Sequence, residues 1–123
     1  MVVRPQLSLH VVPMAKLGSG ERKHDFREVA RGYTPDEAAE EAQRCLQCPR
    51  RPCVDGCPVG IAIPDFILAL RQGDMPQAVK VLKQSNNLPA VCGRVCPQET
   101  QCQSRCVVGK RGDSVSIGAL ERF

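Results

Sequence analysis

The sequence has no Trp, one Tyr and three Phe in 123 residues, which excludes a core built on stacked aromatic rings. The same shortage argues against base-stacking recognition of nucleic acid, which needs aromatic side chains among the basic ones. Lysines and arginines are scattered (Arg22, Lys23, Arg50, Arg51, Lys110, Arg111), and the net charge of +4 reads as a solvated surface. No apolar run approaches the roughly 18 residues of a membrane span. The opening Met1-Val-Val-Arg-Pro-Gln-Leu7 lacks the basic-then-apolar layout of a secretion signal, which points to a cytoplasmic protein. Nucleotide fingerprints are missing as well: no G-x-G-x-x-G follows a strand, no phosphate-loop motif occurs, and Gly18-Ser-Gly20 is too short for either. Asp36, Glu37, Glu40 and Glu41 read as the acidic first turns of a helix, complementing its dipole. Nothing resembles a nucleophile beside a base, so no catalytic residue is assigned.

What the chain does have is cysteine, eight in all. The stretch Cys45-Leu-Gln-Cys48-Pro-Arg-Arg-Pro-Cys53-Val-Asp-Gly-Cys57-Pro58 is spaced C-x2-C-x4-C-x3-C-P. A second group, Cys92, Cys96-Pro97, Cys102 and Cys106, is spaced C-x3-C-P-x4-C-x3-C. Dense runs ending in Cys-Pro are typical of two-cluster ferredoxins, in which the fourth cysteine leaves its neighbours and ligates the other cluster. The pattern therefore predicts two [4Fe–4S] clusters with ligands traded between the groups. Amides of Gly56, Gly60 and Gly93 are candidate donors to the sulfurs. Ten Gly and ten Pro keep every element short, and a small loop-rich domain needs staples. Two zinc sites would also use all eight cysteines, but only Cys45/Cys48 has the C-x2-C spacing of a zinc knuckle. Disulfides rank below zinc in a reducing compartment.

The expected fold is mainly α. Residues 1–32 read as an arm, with short strand propensity at Val2-Val3 and Leu7 to Val12, and a turn at Leu17 to Glu21. His10 and His24 fall in this arm and read as surface or packing residues. Thr34-Pro35-Asp36-Glu37 is a capping box with proline at the first helical position. Its helix, continued by Ala38, Ala39, Ala42 and Leu46, is expected to deliver Cys45 and Cys48 and to stop at Pro49 and Pro52. Further helices are expected from Pro64 to Arg71, ended by Gly73, and after the cap Asp74, with Ala78, Val79, Val81 and Leu82 as an apolar face closed by Asn86-Asn87. Two more would carry Cys92 with Cys96, and Cys102 with Cys106, each pair on one face. After a Gly109 to Gly112 turn, Ser114 to Phe123 reads as a final helix.

The residues then point to a family. Phe26-Arg-Glu-Val-Ala-Arg-Gly-Tyr-Thr34, Glu40-Glu-Ala-Gln-Arg-Cys-Leu-Gln-Cys48, Gly56-Cys-Pro-Val59 and Ile63-Pro-Asp-Phe-Ile67 carry the likeness. So do Leu88-Pro-Ala-Val-Cys-Gly-Arg-Val-Cys-Pro-Gln-Glu99 and Val115-Ser-Ile-Gly-Ala-Leu-Glu-Arg-Phe123. Together, over about residues 22 to 123, they resemble the α-helical ferredoxin-like module that precedes FAD- and NAD(P)-binding domains in the glutamate synthase small-subunit family. The same module occurs in dihydropyrimidine dehydrogenase and in the large subunit of NADH-dependent ferredoxin:NADP+ oxidoreductase. The full cysteine set and the Gly-Tyr-Thr lead-in resemble in particular the ferredoxin:NADP+ oxidoreductase and archaeal-type glutamate synthase branch. The resemblance implies residues 33–123 as the iron–sulfur domain, with Cys45, Cys48, Cys53 and Cys106 holding one cluster. Cys57, Cys96, Cys102 and Glu121 would hold the other, and Cys92 would be a free thiol. Without it, Cys92 reads as a ligand and Glu121 as a solvated helix residue. It further implies electron relay between a flavoprotein domain or subunit, carrying FAD and NAD(P)H, and a second redox partner such as the glutamate synthase large subunit. The chain would then be an excised domain or a separate subunit of an oxidoreductase. The competing reading is a zinc-stapled protein-interaction domain without redox activity.

Overall fold

Proline sets the rhythm of the architecture. In the computed structural model, which describes residues 7–123, six α-helices follow in order: α1 (Pro35–Gln43), α2 (Pro52–Asp55), α3 (Ile63–Arg71), α4 (Met75–Lys83), α5 (Pro89–Val95) and α6 (Ile117–Arg122). Each of α1 to α5 carries proline in its first two positions, where the missing N–H is lost without cost and φ is already helical. Single 3-10 turns occupy Gln98–Thr100, Gln103–Arg105 and Val108–Lys110. Among the described residues there is no strand, only an isolated bridge between Lys16 and Ala30. The fold is thus mainly α with cysteine-rich loops, as expected. Val2-Val3 lies outside the described residues.

The caps behave as their residue types dictate. Thr34 accepts from the Glu37 N–H while the Glu37 carboxylate accepts from the Thr34 N–H, completing the box. Asp74 caps α4 through the Gln77 N–H at 3.0 Å. Gly73, with φ at +74°, makes the left-handed turn between α3 and α4 that a side chain would strain. The helices α3, α4 and α6 supply most of the core, with Phe66, Ile67, Leu70, Val81, Leu82 and Leu120 buried. Helix α3 packs on α1 and α4, and α5 packs on α6. Val79, expected on the apolar face of α4, is instead exposed, and Ala78, Val81 and Leu82 form the buried stripe.

Three expectations are corrected. Helix α1 ends at Gln43, before Pro49, and the next side chain, Arg44, is buried. The segment from Leu7 to Val12 forms no strand. Its Leu9 carbonyl accepts from the Asp113 N–H at 2.8 Å, and the Val11 N–H donates to Asp113 at 3.0 Å. Most consequential, Glu41 is not a solvated charge complementing a helix dipole. Its side chain is fully buried and its Oε1 lies 2.5 Å from Nη1 of Arg44, itself 2% exposed.

This pair is satisfied on every side. Glu41 accepts the N–H groups of Val12 and Ser116, both at 2.8 Å. Arg44 donates to the carbonyls of Ser8 (3.0 Å), Ser114 (3.3 Å) and Asp113. One ion pair therefore ties together the arm, α1 and the segment leading into α6. Tyr33, also buried, adds a hydrogen bond to the Val12 carbonyl at 2.7 Å.

A buried charge deprived of its partner is costly, by about 3–5 kcal/mol. Glu41→Ala is therefore expected to lower the unfolding free energy by about that amount in denaturant titration. Arg51→Ala, which removes an exposed bidentate pair with Asp65 (2.6 and 2.8 Å), is expected to cost at most about 1 kcal/mol.

Candidate cluster-binding sites

The eight cysteines are all free thiols, and they divide between two pockets. The first is walled by Cys45, Cys48, Cys53 and Cys106 together with Leu46, Pro52, Pro64 and Ile67. The second is walled by Cys57, Cys92, Cys96, Cys102 and Glu121, with Asn86, Phe66 and Gln98. Ile63 and Ile117, both buried, line both pockets and form an apolar partition between them. Neither His10 nor His24 lines either pocket.

The crossing of ligands has a simple local cause. Helix α2 is a single turn with Cys53 inside it and Cys57 just beyond its end. The 3-10 turn Gln103–Arg105 is likewise flanked by Cys102 and Cys106. In each of these two C-x3-C segments one cysteine faces the first pocket and the other the second, whereas Cys92 and Cys96 both line the second. The expectation of a longer helix carrying Cys102 and Cys106 on one face is thus corrected: the segment is two separate 3-10 turns. The two cysteine-bearing turns touch, and Gly56 makes this possible, since a Cβ there would stand 2.7 Å from the Gln101 carbonyl oxygen.

The remaining donors are placed by neighbouring elements. Cys45 and Cys48 lie in the loop after α1, which Gln47 shapes by adopting φ of +53°. The Gln47 side-chain amide donates to the Pro64 carbonyl at 2.9 Å and to the Cys45 sulfur at 3.4 Å, while Arg71 donates to the Cys45 carbonyl at 2.8 Å. Gln47 is a sulfur-facing donor that sequence reasoning missed; only the unusual backbone conformation reveals it. Gly56 and Gly60, expected to donate to sulfur, give their N–H groups to the carbonyls of Pro52 and Cys57 instead. Gly93 serves close packing: a Cβ there would lie 2.7 Å from the Gly118 carbonyl oxygen of α6. On α6, Glu121 is half-buried and accepts from the Asn86 amide at 3.0 Å.

Electrostatically both pockets favour neutral forms. Burial pushes the Cys53 thiol up to about 11 and Cys102 up to about 12, and raises Cys45 and Cys96 as well. Burial also raises the Glu121 carboxyl, partly offset by the Asn86 hydrogen bond. Such thiols are poor nucleophiles. As metal ligands they would have to release their protons. Soft thiols in apolar walls with few competing polar groups are a donor set that suits iron–sulfur clusters. Among the described residues, no three His, Cys, Asp or Glu side chains converge closely enough to hold a single metal ion. No helix among them is long and apolar enough to cross a membrane.

Comparison with known proteins agrees with this geometry. The family of domains described as dihydropyrimidine dehydrogenase domain II, 4Fe-4S cluster, matches residues 22–123. The chain is 36% identical over 109 residues to the glutamate synthase (NADPH) small chain of Azospirillum brasilense, covering 88% of this chain and 23% of that protein. It is 36% identical over 102 residues to the corresponding small chain of Halomonas elongata, covering 83% of this chain and 22% of the relative. Identity is 38% over 96 residues to PreT, an NAD-dependent dihydropyrimidine dehydrogenase subunit of Escherichia coli O157:H7, covering 78% and 23%. The chain spans about a fifth of the length of these curated relatives. It belongs to the dihydropyrimidine dehydrogenase domain II family of 4Fe-4S domains.

Because a Cβ at Gly93 would press on the Gly118 carbonyl oxygen and on the Arg122 backbone N of α6, Gly93→Ala is expected to force α5 outward and loosen the second pocket. The expected cost is about 1–3 kcal/mol, read by thermal or chemical unfolding.

Proposed function

We propose that the chain is an electron-transfer unit carrying two [4Fe–4S] clusters, held by residues 33–123, which follow an N-terminal arm of residues 1–32. Cys45, Cys48, Cys53 and Cys106 hold one cluster; Cys57, Cys96, Cys102 and Glu121 hold the other. The observation that carries this reading is the sorting of the donors into two separate pockets, four thiols in the first and the remainder with Glu121 in the second. The single-ion alternative, zinc, needs four donors converging on one point with sulfurs at about 2.3 Å. The cysteines stand around pockets rather than around a point, an arrangement that favours a group with several metal atoms.

When bound, such clusters supply reversible one-electron exchange. The chain's own residues keep the sites dry and fixed. Ile63 and Ile117 exclude water from the space between the pockets, Gln47 donates toward a ligand sulfur, and Arg71 holds the backbone of Cys45. A carboxylate is a harder donor than thiolate, so Glu121 gives the second cluster an electronic character different from the first. The names of the relatives, an NADPH-linked synthase small chain and an NAD-dependent dehydrogenase subunit, support a partner that takes hydride from NAD(P)H. We place this unit between an FAD-bearing flavoprotein domain or subunit and a second redox partner, in the cytoplasm. The glutamate synthase and ferredoxin:NADP+ oxidoreductase assemblies are the templates for that placement.

Two serine variants test the ligand assignment on anaerobically purified protein. Cys92→Ser is expected to keep about eight irons per chain, and Cys106→Ser to fall to about four. A Cys92→Ser protein that loses a cluster, or a Cys106→Ser protein that keeps both, contradicts the assignment.

A further inference from the structure

Glu121 differs from the cysteines in having two oxygens to offer, so something must decide which one faces the metal. Its Oε1 accepts from Asn86 Nδ2 at 3.0 Å, and Asn86 lines the same pocket. The Asn86 amide cannot be turned the other way without loss, because its Oδ1 accepts the Leu88 N–H at 2.9 Å. That bond assigns the oxygen end to the backbone at the start of α5 and the NH2 end to Glu121. The Asn86 backbone is anchored in turn, its N–H donating to the Leu82 carbonyl at 3.0 Å at the end of α4. Asn86 therefore presents a donor whose polarity and position are both set by the junction of α4 and α5.

We propose that Asn86 is the positioning residue for the Glu121 ligand, engaging Oε1 and leaving Oε2 as the oxygen offered to iron. The proposal rests on the reading of Glu121 as a ligand. Its physical content is a donor–acceptor match. A carboxylate accepts at both oxygens, so it satisfies the Asn86 NH2 and a metal together. A carboxamide has only one acceptor oxygen and two donor hydrogens. With glutamine at position 121 and its oxygen on iron, its NH2 would meet the NH2 of Asn86. Partners that orient a metal ligand typically matter by 10- to 100-fold in metal affinity. A mismatch at this contact should therefore weaken the second cluster and spare the first.

The complementary swap tests the match. Asn86→Asp is nearly isosteric and keeps an acceptor for the Leu88 N–H, but it removes the donor to Glu121. Glu121→Gln keeps one oxygen for iron but turns a donor on Asn86. Each single variant of the loaded full chain is expected to release iron from the second cluster to a chelator about 10-fold faster or more. Each should also show an altered electron paramagnetic resonance (EPR) signal for that cluster, with the first cluster's signal unchanged. In the double variant Asn86→Asp/Glu121→Gln, the aspartate accepts from the glutamine NH2, and both the release rate and the signal are expected to return toward wild type. Singles that behave as wild type, or a double variant whose defects simply add, overturn the positioning role. Glu121→Ala separates this from the underlying reading: if it leaves the second cluster's EPR signal as in wild type, Glu121 is not a ligand and both claims fall. If Glu121→Ala changes that signal while the swap shows no rescue, only the role of Asn86 is overturned.

Discussion

Most of the architecture hangs on the buried pair Glu41–Arg44. Beside its apolar core, the chain has a second means of fixing its long-range connections. Two charges with their hydrogen bonds made to the arm, to α1 and to the segment before α6 do so by directional bonds. The cost of burying such charges is repaid only when the geometry is good and the other lone pairs are satisfied, and here no buried side-chain polar atom among the described residues is left without a partner. Arg44 directly follows α1 and directly precedes Cys45, so the pair that holds the arm adjoins the Cys45–Cys48 loop of the first pocket.

A second constraint is the length of one helical turn. Cys53-x3-Cys57 and Cys102-x3-Cys106 each span about a turn, and two such turns in contact present one thiol each to two pockets. Each cysteine group therefore reaches both pockets by local geometry, with no long excursion of the chain. Gly56 at this contact and Gly93 at the contact of α5 with α6 are the small residues that let backbone approach backbone. The glycines near the cysteines matter chiefly by what they omit.

The helical class, the capping box at Thr34, the cap at Asp74, the turn at Gly73 and the proline-led starts of α1 and α3 were legible in the sequence, because each depends on a residue and its near neighbours, whereas Pro52, read as a helix stop, opens α2. The sorting of cysteines was legible only through family resemblance. Spacing of three between cysteines reads equally as two ligands on one face or as two ligands on opposite sides of a single turn, and only packing decides. Glu41 was misread for a related reason: an acid in the early turns of a helix is solvated unless distant segments bring partners to it, and Val12, Arg44 and Ser116 do so here. Gln47 carried no signal and Asn86 only that of a helix end, since their roles depend on a left-handed backbone in one case and on an amide locked by a backbone N–H in the other.

The central claim, two separate multi-iron sites in one small helical domain, is tested most directly by counting iron, acid-labile sulfide and zinc per chain in anaerobically purified wild-type protein. The account predicts about eight irons and about eight sulfides, with a broad visible absorption that dithionite bleaches. Zinc without sulfide, unchanged after anaerobic incubation with iron and sulfide, would contradict it.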